Sequence, residues 1–82
     1  MKYTKKDVLV QMHHLSHETG MGLELEDATI RREGRTRFNL HQIDENNHRI
    51  RCLNEYTYTA KEMFKALKLA RDIYDASTNM DS

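Results

Sequence analysis

His13 and His17 stand four residues apart, the spacing at which two imidazoles on one helix face can share a zinc ion. A zinc-protease motif would place glutamate directly after the first histidine, and that position is His14. A third ligand would have to come from Glu18 or from distant His41 or His48. The pair therefore reads as a solvent-facing histidine cluster, and no metal is assigned. Cys52 is the only cysteine, alternating with arginines in a strand pattern that points it inward as a small hydrophobe rather than a nucleophile. No nucleophile elbow, phosphate-cradling glycine loop or dinucleotide fingerprint occurs. Acidic residues are scattered singly. The expectation is a chain that is not an enzyme, with no catalytic residue and no cofactor.

Arginine is the residue whose placement does suggest a site. Arg31, Arg32, Arg35 and Arg37 surround one turn, and Arg49 and Arg51 fall on a following strand. If Ile30 lies across from Phe38 inside the fold, Arg31 lies across from Arg37 outside, and like charges opposite each other on a sheet are unfavourable. An anionic partner would relieve that repulsion, and the planar guanidinium fork suits phosphate or carboxylate. The competing reading is a solvated face whose arginines pair with Glu24, Glu26 and Glu55.

The elements that must position these residues follow from periodicity. Thr4 and Asp7 form a start signal for a helix on which Val8, Met12, Leu15 and Thr19 share one face, and Gly20 reads as its left-handed cap. Gly22 reads as a flexible link. The pattern then switches to alternation: Leu23 and Leu25, a parity change at Glu26-Asp27, then Ala28 and Ile30. Turns at Glu33-Gly34-Arg35 and at 44–47 separate a second strand (Thr36, Phe38 and Leu40 inward) from a third over 48–53, with Ile50 and Cys52 inward. Thr59-Ala60-Lys61-Glu62 is a full capping box, with Tyr58 and Met63 placed as a hydrophobic staple. Met63, Ala66, Leu67, Ala70, Ile73 and Tyr74 form the apolar face of the last helix, with Phe64 and Leu69 at its two margins. Residues 77–82 carry no pattern and read as a flexible C-terminal tail.

The expected fold is α+β, helix–three-stranded antiparallel sheet–helix over 1–76, with both helices on one sheet face and the other face open to water. With 82 residues there is room for one domain and a thin core. Thirteen basic residues balance thirteen acidic ones, which weighs against a dedicated non-specific nucleic-acid binder but leaves room for a local basic patch. A lone cysteine needs no oxidising compartment, and neither a signal segment nor a membrane span is visible, so the cytoplasm is the expected location and no membrane the expected partner.

The order of elements and the length are similar to those of the double-stranded RNA-binding domain. That family carries a K-K-x-A-K run at the start of its last helix, where this chain has Thr59-Ala60-Lys61-Glu62-Met63-Phe64-Lys65, so only Lys61 and Lys65 correspond. The first turn, Arg32-Glu33-Gly34-Arg35, departs from the family's Gly-Pro-x-His. The resemblance is one of topology, which alone transfers no function. The leading expectation is a protein-binding accessory or inhibitory module, of the build found among small phage and mobile-element proteins. Its contacts would be the arginines or the apolar margin of the last helix at Phe64 and Leu69, a margin that also suits a homodimer. The alternative is a nucleic-acid binder using Arg31, Arg32, Arg35, Arg37, Arg49 and Arg51.

Overall fold

Thr4 starts the first helix by reciprocal capping. Its hydroxyl accepts the Asp7 amide at 3.3 Å, and the Asp7 carboxylate accepts the Thr4 amide at 2.9 Å. That backbone hydrogen bond, with the Thr4 hydroxyl, holds the Asp7 carboxyl below its ordinary range. Helix α1 runs Lys5–Thr19 and buries Val8, Met12 and Leu15, the face the spacing marks out. It ends on Gly20, whose φ of 73° lets its amide donate back to Ser16 at 2.9 Å. The computed structural model describes residues 2–34 and 36–80.

Four strands follow: β1 (Gly22–Asp27), β2 (Arg37–Ile43), β3 (Arg49–Cys52) and the two-residue β4 (Tyr58–Thr59), before helix α2 (Ala60–Met80). The sheet is antiparallel with β2 at its centre, β1 on one edge, and β3 and β4 end to end along the other. The fold is thus the expected helix–sheet–helix arrangement. The expected third strand over 48–53 is β3, and the short β4 is an additional strand beside it. Leu25 pairs with Leu40, and Phe38 lies between Asp27 and Tyr58 rather than across from Ile30. The parity change at Glu26-Asp27 marks the end of β1. Asp27 turns the chain by accepting the Thr29 amide at 2.9 Å, and Ile30 sits exposed in the turn beyond.

Gly22 is not a flexible link. A side chain there would meet the Ile43 carbonyl oxygen at 2.8 Å and Ile43 Cγ1 at 2.9 Å, so glycine is what lets β1 begin against the end of β2. The second turn is closed by Asp44, whose carboxylate accepts the amides of Asn46 and His48 at 2.9 Å each.

A bulge distorts β3. Gln42 pairs with Arg51 but Ile43 pairs with Arg49, leaving Ile50 as an extra residue. Ile50 is therefore exposed rather than inward. Cys52 lies across from His41 on the outer face, also exposed, with its Sγ directed at the Asn54 carbonyl oxygen at 3.3 Å.

Helix α2 begins on the expected box: Thr59 donates its amide to Glu62 Oε1 at 3.0 Å and accepts the Glu62 amide at 3.3 Å. It continues to Met80, so part of the segment read as a tail is helical, and residues 81 and 82 lie outside the description. Val8, Met12 and Leu15 from α1 meet Leu23, Phe38 and Leu40 from the sheet and Ala60, Met63 and Leu67 from α2 in one core. Helix α1 packs on β1, and α2 packs on α1, β4 and β2. Neither helix provides substantial cover for β3.

Candidate functional site

The outer sheet face carries a closed polar network. The Arg49 guanidinium holds Glu24 at 2.6 Å and Glu26 at 2.9 Å, and Glu26 also accepts from Asn39 at 3.1 Å and contacts His41 Nε2 at 3.1 Å. The Asn39, His41 and Arg49 hydrogen bonds, in that order, pull the Glu26 carboxyl down from 4.5 to about 2. Arg49, a candidate anion contact, is thus occupied by two carboxylates on its own sheet. Arg37 is likewise held by Glu33 at 2.7 Å, and it lies across from Thr59, not Arg31. Arg31 and Arg32 are exposed in the turn, and Arg35 lies outside the described residues. The sequence-derived set therefore does not form one arginine face. Parity argued from alternation assumed an unbroken ladder, and the Ile50 bulge places Arg49 and Arg51 on opposite faces of β3.

His13, His14 and His17 are all exposed on α1. No group of three histidine, cysteine, aspartate or glutamate side chains converges among the described residues. No helix among them is long and apolar enough to cross a membrane.

On the inner face, the missing cover over β3 leaves an apolar cleft of about 500 Å³. Its floor is Leu23 and Leu40 of the sheet, with Leu15 of α1 behind them. One wall is the flank of α2 turned away from α1, formed by Ala66, Ala70, Ile73 and Ser77, with Tyr74 beside it. Leu53, Tyr58 and Arg51 line the β3 side. Helical spacing explains the wall. The opposite flank of α2 is taken by α1 and the residues just before it, where Phe64 packs at a tilt against Tyr3 with ring centroids 4.8 Å apart and Arg71 binds Glu18 at 3.0 Å. The flank carrying Ile73 has no such neighbour. Ile73 is 59% exposed and Leu69, just outside the cleft, is 60% exposed.

The two margins of α2 therefore have different fates. Phe64 is part of the internal packing, whereas Leu69 belongs to open surface. Arg51 is the one charged residue in the lining; its Nε donates to Gln42 Oε1 at 2.9 Å, and it has no carboxylate partner among the described residues. The cleft's polar neighbour Asn54 is spent on the backbone: Oδ1 accepts the Leu40 amide at 2.8 Å, and Nδ2 donates to the carbonyls of Phe38 and Tyr56. Sequence reasoning missed the cleft because it lies where the chain leaves the sheet between β3 and the unexpected β4. Its one legible signal was the width of the apolar face of α2.

No family model, no curated protein and no solved structure matches the chain.

Proposed function

We propose that this chain is a non-catalytic protein-binding module, an accessory or inhibitory component that receives a partner protein in the cleft between α2 and β3. The observation that carries the reading is the cleft: about 500 Å³, lined mainly by apolar side chains that include exposed Ile73, with exposed Leu69 on the same flank of α2. A contiguous apolar surface of this kind on a small domain costs solubility unless something covers it. Protein interfaces draw most of their affinity from a few apolar and aromatic anchors that become fully desolvated. Leu53, Ile73 and Tyr74 are placed to serve as such anchors.

The alternative, an arginine surface for nucleic acid, has less support. Arg37 and Arg49 already hold carboxylates and Arg51 lies on the opposite sheet face, which leaves, among the described arginines of the set, Arg31 and Arg32 as exposed cations at the turn. A phosphate backbone is normally met by a longer track of positive charge. Purification of the tagged chain from its source cells, with and without nuclease, separates the readings. The expected result is a protein partner that survives nuclease, is lost with Ile73→Asp and is retained with Arg31→Gln/Arg32→Gln. Capture that nuclease abolishes, or that Ile73→Asp leaves intact, contradicts the proposal.

A further inference from the structure

We infer that the occupant of the cleft is an amphipathic helix of the partner, carrying an acidic side chain that meets Arg51; this rests on the protein-binding reading above. Three features of the fold select that chemistry. The first is the incomplete layer. Helix α1 covers β1 and α2 covers β2 and β4, so the place beside α2 and over β3 is where a third helix of this layer would lie. An apolar stripe on an incoming helix would rest on Leu40 and Leu53 and against Ile73 and Tyr74.

The second feature is the edge of β3, which disfavours an added strand. The bulge at Ile50 breaks its run of backbone groups, and the chain leaves the sheet between Cys52 and Tyr58. Strand addition needs a longer, flatter edge. The third is charge. Arg51 lines the cleft, its Nε is tethered to Gln42, and its fork holds no acid among the described residues. Beside apolar walls a carboxylate on that fork gives a directional, charge-assisted contact that fixes the register of the incoming helix.

A second copy of the chain fits poorly. Presenting its own α2 flank would bring Ile73 and Ala66, while helical spacing puts Asp72 and Asp75 on other faces of α2. A small apolar acid would fill the cleft but leave Leu69 and the outer side of Ile73 bare.

The test selects random peptides of about 18 residues, five helical turns, against the full chain. Binding of the enriched peptides is then measured with the wild type, Arg51→Glu and Ile73→Asp, each checked for an unchanged melt. The expected peptides carry apolar residues at i, i+3, i+4 and i+7 and a recurrent acid. Arg51→Glu should weaken them about tenfold, and replacing the peptide's acid with lysine should restore binding to that variant. Peptides that need Ile73 but lack the helical pattern or the acid would overturn this inference and leave the protein-binding reading standing. Binding indifferent to both substitutions, no enrichment at all, or a dimer in sedimentation that Ile73→Asp dissolves would overturn it as well, the first of these taking the cleft reading with it.

Discussion

The side chain of Asn54 takes the place of a strand beside Leu40. Its Oδ1 accepts the Leu40 amide at 2.8 Å while the Leu40 carbonyl oxygen accepts the Leu53 amide at 2.7 Å. The same carboxamide donates to Phe38 O at 3.2 Å and to Tyr56 O at 2.6 Å. It thereby bridges the gap between β3 and β4 and is, among the described residues, the buried polar one. Because the chain departs from the sheet here, the inner side of β3 stays uncovered and the cleft exists.

Replacing Asn54 by Ala should destabilise the domain by about 2–4 kcal/mol, since it strips a buried amide and carbonyl of their partners. For a domain this small that is a large share of its stability. Asn54→Asp should also be destabilising, because a carboxylate cannot donate to Phe38 or Tyr56. A denaturant titration in which Asn54→Ala matches the wild type would contradict this role.

Gly22→Ala should cost about 1–3 kcal/mol, because the new methyl would overlap the Ile43 carbonyl and the strands must part to admit it. Truncating Ile43 to Ala should relieve only the side-chain half of the clash. The double variant should therefore remain less stable than Ile43→Ala alone, and equal melting temperatures would show that β1 can shift freely.

Thr59→Ala should remove the cap of α2 at a cost of about 0.5–2 kcal/mol. The Glu62 carboxyl is held below its ordinary value first by the residue-59 backbone amide, which alanine retains, and then by the hydroxyl, which it loses, so it should rise only part of the way. A thermal melt and a carboxyl titration report the two effects separately. No change in either would place the helix start elsewhere.

The outer-face network sets an acid limit. Glu26 titrates near 2 when folded and near 4.5 when free of its partners. A depressed native pKa gives stabilisation that is complete above about pH 4.5 and is lost as pH falls toward 2. Glu26→Gln should flatten this part of the pH–stability curve, and Arg49→Gln should raise the Glu26 midpoint. A carboxyl carbon titration placing Glu26 near 4.5 in the folded protein would contradict the network.

Local chemistry made much of this fold legible in the sequence, and long-range pairing concealed the rest. Both capping boxes, the Gly20 cap and the buried faces of α1 and α2 depend on residues within a few positions of one another. The register between strands does not. Ile30 continued an alternating pattern but lies past the strand end that Asp27 makes, and the Ile50 bulge keeps Arg49 on the expected outer face while Arg51 and Cys52 beyond it take the faces opposite to those that plain alternation gives. Those two events dispersed the expected arginine face. The cleft was foreshadowed at Leu69, one margin of an apolar face too wide for a single neighbour. Its other half depends on Asn54 reaching back across fourteen residues, which no local pattern records.

The most direct test of the account is a photo-crosslinking phenylalanine analogue placed at Ile73 in source cells, with the same group at exposed His14 on α1 as the comparison. Irradiation should yield a discrete, nuclease-resistant protein adduct from the Ile73 position and none of that mass from the His14 position. Equal adducts from both positions, or an Ile73 adduct that nuclease removes, would contradict a partner protein seated in the cleft.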